Sequence, residues 1–167
     1  MEEYEKKLEL ASNKIGDIGA IEIGKSMIWV NLEVLDLSGN EIGDEGARTL
    51  DGNNTWEKLT KLDYSSNKVT DKKTVIFVCS NGIWKDLEYL FLGYNPAVLE
   101  ATDAIEAIEG ITSKNLEELT LHNTEIKKAL LQYLKNSATK SVIELSLAKG
   151  GFESLPCGYH WTQHNLD

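Results

Sequence analysis

Cysteine is scarce. The 167 residues hold only Cys79 and Cys157, too few for a disulfide framework, and a reducing compartment is the simpler reading. Proline is equally scarce, two against 13 glycines, which excludes collagen-like and proline-rich chains. No run approaches the roughly 18 apolar residues of a membrane span. The opening residues, Met1 to Lys7, have no basic segment followed by an apolar one, so no secretory signal is read there and a cytoplasmic location is expected. Positive charge is in deficit. There are 17 Lys+Arg against 27 Asp+Glu, a net charge of -10, which disfavours nonspecific binding to nucleic acid or anionic lipid. A basic or neutral partner is expected instead. At 41% hydrophobic and 26% charged, the chain reads as one folded domain over 1–167, neither a disordered tail nor a membrane protein.

What the sequence does have is a repeat. Leu32, Leu35, Leu37 and Asn40 stand at the first, fourth, sixth and ninth places of a segment that recurs as Leu59, Leu62, Tyr64, Asn67 and as Leu87, Leu90, Leu92, Asn95. Leu116, Leu119 and Leu121 continue it with Thr124 at the ninth place, and Val142, Leu145 and Leu147 with Gly150. Leu8, Leu10 and Asn13 form a truncated first copy. The ninth places are 13, 40, 67, 95, 124 and 150, so the steps are 27, 27, 28, 29 and 26. Alternating leucines predict a short strand with one buried face. The second half of each copy changes period: Ala47 and Leu50, Ala101 and Ile105, and Ile126, Leu130, Leu131 and Leu134 fall at helical spacing. Each unit reads strand, turn, helix, return, and cannot bury its apolar face without a neighbour.

This pattern resembles the leucine-rich repeat proteins of the ribonuclease-inhibitor type. The second copy carries the family's Leu-x-x-Leu-x-Leu-x-x-Asn-x-Ile-Gly-x-x-Gly-Ala in full, from Leu32 to Ala47. The resemblance implies an α/β right-handed solenoid, a horseshoe arc of about six repeats at roughly 1–28, 29–55, 56–83, 84–112, 113–138 and 139–167. It implies a parallel sheet on the concave face, helices on the convex face, and asparagines bonded to backbone in the turns. Thr124 and Gly150 cannot supply an amide, so the last two turns are expected to be less regular. The tail from Phe152 to Asp167 breaks the pattern and is expected to form an irregular cap. The beginning shows no cap, so the chain reads as a fragment or as one whose open end stacks on something.

Several motifs imitate chemistry. Gly19 to Ser26 matches the phosphate-binding G-x-x-x-x-G-K-S pattern, yet Gly19, Ala20 and Ile23 fall in the helix half of a unit, so coincidence is expected. Cys157, His160 and His164 could ligate a metal only with a fourth donor, and no metal site is expected. Cys79 lies in an apolar run, which predicts a buried, unreactive thiol. Asn53-Asn54-Thr55 is a glycosylation sequon with no signal peptide to make it matter. Trp29, Trp56 and Trp84, each three residues before a unit's first leucine, predict a structural column at the solenoid edge.

Binding is expected between the core leucines, where alternate residues line the concave sheet. One column reads Lys7, Val34, Lys61, Tyr89, Glu118, Glu144; the next reads Glu9, Asp36, Asp63, Phe91, Thr120, Ser146; a third includes Ser38, Ser65 and His122. Acidic residues beside the aromatics Tyr89, Phe91 and nearby Tyr94 have the make-up of a binding hot spot. The expected function is therefore a non-catalytic module that binds a protein or peptide, basic in part. Its expected site is Glu9, Asp36, Asp63, Tyr89, Phe91, Tyr94, Glu118, His122 and Glu144, with no cofactor. Two alternatives are a GTPase regulator, since proteins of this repeat type include Ran activators, and a secreted effector acting on a host protein. The one arginine, Arg48, falls on the convex helix, which disfavours the first alternative.

Overall fold

The computed structural model describes residues 6–97 and 100–121 together with the strand at 144–146. Strand and helix alternate as the spacing predicts: β1 Lys7–Glu9, α1 Gly16–Lys25, β2 Val34–Asp36, α2 Asp44–Asp51, β3 Lys61–Asp63, α3 Lys72–Cys79, β4 Tyr89–Phe91, α4 Ala101–Gly110, β5 Glu118–Thr120 and β6 Glu144–Ser146. The strands form one parallel sheet in sequence order, β1 to β6. Every pair is in repeat register, with Leu8, Leu35, Leu62, Leu90, Leu119 and Leu145 as the central column. This is an α/β solenoid. The expected helix at 126–134, the tail from 152, and Cys157, His160 and His164 lie outside the described residues, as do Thr124 and Gly150. Among the described residues no cluster of His, Cys, Asp or Glu is arranged for a metal, and no helix is long and apolar enough to cross a membrane.

The core lies between sheet and helices. Leu32, Leu35, Leu37, Leu59, Leu62, Leu87, Leu90, Leu92, Leu116, Leu119 and Leu121 are all buried, with Ala20, Ala47, Leu50, Val75, Val78, Ala104 and Ile108 from the helices. Trp56 and Trp84 are buried among them, while Trp29 is only partly covered. These tryptophans are core residues that open the turn into each strand: Leu32, Leu59 and Leu87 donate from backbone N to the carbonyls of Trp29, Trp56 and Trp84. Close helix packing explains the phosphate-loop look-alike. Gly19 to Lys25 is helical, and a Cβ on Gly24 would stand 2.7 Å from the Thr49 carbonyl oxygen of α2. Gly24 is needed for contact with the next helix, not for a ligand.

Turns are held by asparagines. Asn40, fully buried, accepts at Oδ1 from the backbone N of Asn13 (2.8 Å) and Ile15 (3.3 Å) and donates from Nδ2 to the carbonyls of Leu10 and Ser38. Asn67 accepts from Asn40 N and Ile42 N and donates to the carbonyls of Leu37 and Tyr64. Asn95 takes Val69 N and donates to Tyr64 O and Leu92 O. Each amide thus satisfies backbone in its own turn and the turn before, where buried peptide groups would otherwise lack partners. The residue ahead of each asparagine is left-handed: Ser12, Gly39, Ser66 and Tyr94 have φ of 59°, 65°, 55° and 56°.

Two further ladders run through the helix side. Asp17 Oδ1 accepts from Gly43 N (2.8 Å) and Gly46 N (2.9 Å), and so caps α2, whose own N-cap Gly43 has no side chain to do it. Asp44 serves the following turn likewise, accepting from Thr70 N, Thr70 Oγ1 and Asp71 N. Burial opposes ionisation of Asp44, but these bonds outweigh it and hold its carboxyl below the usual range. At the return turns Asn53 donates to Gly24 O and Ser26 O, and Asn81 to the backbone and carboxylate oxygens of Asp51. Asn53 is therefore a buried structural amide, with no free nitrogen for a sugar in the folded chain.

Candidate interaction surface

Repeat register carries the two outward columns across the sheet. Lys7, Val34, Lys61, Tyr89, Glu118 and Glu144 are successive neighbours on one side of the leucine column, and Glu9, Asp36, Asp63, Phe91, Thr120 and Ser146 on the other. Lys7 and Glu9 on the edge strand are exposed, Asp36, Asp63, Tyr89, Phe91 and Glu118 half-buried, and Thr120 buried. The structure thus brings together seven of the nine expected residues: Glu9, Asp36, Asp63, Tyr89, Phe91 and Glu118 on the strands, and Tyr94 just beyond β4. Glu144 is placed by its backbone in β6, opposite Glu118, and its side chain lies outside the description. His122 lies outside the described residues altogether.

Asp36 and Asp63 are more constrained than alternation alone requires. Asp36 Oδ1 accepts from Ser38 N (2.9 Å) and Ser38 Oγ (2.7 Å), and Asp63 Oδ1 from Ser65 N (3.0 Å) and Ser65 Oγ (2.6 Å). Each carboxylate closes an Asx-type turn at the strand end. The sequence signal was present, in the repeated Asp-x-Ser of 36–38 and 63–65. The result is a pair of acidic groups held in place on adjacent strands.

The aromatic half is similarly braced. The rings of Tyr89 and Phe91 lie 6.4 Å apart at 24°, an offset-stacked distance. Lys61 Nζ sits 5.3 Å from the Phe91 centroid, a cation–π contact. Tyr89 OH donates to Glu117 Oε2 at 2.7 Å, and this bond, with the negative charge of Glu117, raises the hydroxyl's pKa. Tyr94 stands 61% exposed on its left-handed turn.

Reactive candidates elsewhere are quiet. Cys79 is buried, and desolvation, reinforced by Asp51, pushes its thiol up to about 12, far from the thiolate a nucleophile needs. Asp51 at the end of α2 is pushed up to about 6 by burial, against the opposing hydrogen bond from Asn81. Lys25 lies 3.8 Å from Glu22 on its own helix. Arg48 on α2 holds Asp71 at 2.6 Å, away from the sheet.

Residues 6–24 and 30–50 match the family described as Leucine Rich repeat. No curated protein matches the chain. The matched stretches cover β1 with most of α1 and β2 with nearly all of α2, and the later described strands continue their register. With that match laid on a sheet whose every strand repeats the same leucine column, residues 6–50 are leucine-rich repeats, and the later described strands continue their pattern.

Proposed function

We propose that the chain is a non-catalytic protein-binding module whose concave sheet takes a basic segment of a partner and anchors an apolar side chain beside it. Leucine-rich repeat domains in general mediate protein–protein interaction. The observation that carries the finer reading is the register of β2, β3 and β4, which sets Asp36, Asp63 and Phe91 side by side on one face. The partner's cation would lie between the two carboxylates, which their serines hold in place. Its apolar residue would cover Phe91 and Tyr89, with Tyr94 at the edge. Glu9, Glu118 and Glu144 would extend the surface to both sides.

The test uses affinity capture from a native lysate with three baits: the wild type, Asp36→Asn with Asp63→Asn, and Phe91→Ala. Asparagine keeps an acceptor for Ser38 and Ser65, so the double variant is expected to melt within about 0.5 kcal/mol of wild type. Binding of the captured partner should fall about tenfold or more with Phe91→Ala. With the double variant it should fall mainly through a slower on-rate that salt masks. A partner held equally by all three baits at low salt would place its site off the sheet.

A further inference from the structure

The first turn of the solenoid has one side with nothing described upon it. β1 ends the sheet. Lys6 O accepts from Glu33 N and Val34 N, and Leu10 N donates to Asp36 O, so the backbone at 6 and 10 serves β2. Alternation then turns the N–H and C=O of Lys7 and Glu9 to the open edge. Four of the six exposed large apolar side chains among the described residues belong to this turn: Ile18 (83%), Met27 (60%), Ile28 (64%) and Val30 (47%). The first turn is also less acidic than the second. Residues 1–30 carry four lysines and six acids, a net -2, whereas residues 31–55 carry one arginine and six acids, a net -5.

We propose that this end is a self-association surface, on which two copies of the chain pair through β1 about a two-fold axis with the strands antiparallel. Lys7 of one copy faces Glu9 of the other, and Leu8 faces its counterpart on the axis. The register follows from three properties of Lys7-Leu8-Glu9. Lys7 and Glu9 both direct backbone groups outward, so each Lys7–Glu9 couple exchanges two hydrogen bonds, and Leu8 falls at the closer, non-bonded place. Their exposed side chains make two cross-strand pairs of opposite charge. The pattern is self-complementary only in the antiparallel sense; a parallel register would stack lysine on lysine and glutamate on glutamate. α1 runs back from the carboxyl end of β1 to its amino end. The same axis therefore brings Ile18 of one copy towards the Met27–Val30 segment of the other, an isologous contact. The lower charge of the first turn lets two copies meet while most of the negative charge stays away from the contact.

Sedimentation equilibrium of the full chain is expected to give twice 18.6 kDa, dissociating on dilution by mass action. Lys7→Glu and Glu9→Lys should each sediment as monomer, while their equimolar mixture recovers the dimer, because each like-charged strand then meets one of opposite charge. Both side chains are exposed, and circular dichroism melts of the variants are expected to match the wild type diluted to where it is monomeric. Independently of any variant, amide exchange at Lys7 and Glu9 should slow as wild-type concentration rises. A wild-type monomer at about 100 µM, a dimer that survives both single substitutions, or a mixture that stays monomeric would each overturn the proposal.

Discussion

The first and second turns carry the same residue types at the same places and bury them differently. Leu35, Ile42, Leu50 and Trp56 are buried, whereas Leu8, Ile15, Ile23 and Trp29, one repeat earlier, are only partly covered. The asparagines differ in the same way. Asn40 is fully buried with its Oδ1 shared by two donors; Asn13 is exposed, and among the described residues nothing donates to its Oδ1. Sequence alone therefore does not decide burial in a solenoid. A neighbour on both sides does, and the energy of a repeat resides largely in its two interfaces.

The largest test of that contrast is at the asparagines. Asn67→Ala would leave Asn40 N, Ile42 N and Leu37 O short of a partner, while Tyr64 O keeps its bond from Asn95. At about 1–3 kcal/mol for an unsatisfied buried group, partly relieved by relaxation, a loss of about 3–5 kcal/mol is expected in urea unfolding. Asn13→Ala should cost under about 1 kcal/mol, since its bonds to Leu10 O and Ala11 O are exposed. Equal losses would mean that the first turn is covered as well as the second.

Next come the leucines. Leu35→Ala should cost about 2–5 kcal/mol and Leu8→Ala roughly half or less, because truncation at a half-open site leaves little cavity. A Leu8→Ala cost that grows with protein concentration would report burial of Leu8 in the dimer and so sharpen the comparison.

The smallest effect concerns Asp51, which stands where the first turn has Gly24. Its folded pKa of about 6 lies above the ordinary 3.8. The folded state therefore holds the proton more tightly than the unfolded state, and stability contributed at this site falls as pH rises from about 4 to about 6. Asp51→Asn keeps an acceptor for Asn81 and removes the buried charge. It should stabilise the protein by about 1–3 kcal/mol at pH 7 and by almost nothing at pH 4. Thermal melts at the two pH values read this directly, and an equal gain at both would show that the charge is not the cause.

Much of this architecture was legible. The leucine steps set the strands, and strand alternation set the two outward columns, because register in a parallel solenoid follows the repeat itself. The asparagines at 40, 67 and 95 were legible as turn residues through the resemblance to the leucine-rich repeat family. What escaped reading were side chains whose partners are backbone groups one repeat away. Asp17 and Asp44 recur at a step of 27 and Asn53 and Asn81 at a step of 28, so a signal existed. Their periodicity was masked by apolar patterning on one hand and by a sequon on the other. Tyr94 was legible as an aromatic near β4 but not as a left-handed residue. The corresponding places hold Ser12, Gly39 and Ser66, and nothing in a tyrosine announces that conformation.

The asparagine ladder also constrains how such a chain can change over generations. Each amide serves its own turn and the one before, so an inserted or deleted residue within a turn breaks contacts on both sides at once. Loss or gain of a whole step of 27 or 28 residues would instead bring an equivalent donor to an equivalent acceptor. Chain length is thereby quantised: inheritance can add or remove complete turns far more cheaply than it can alter the length of one.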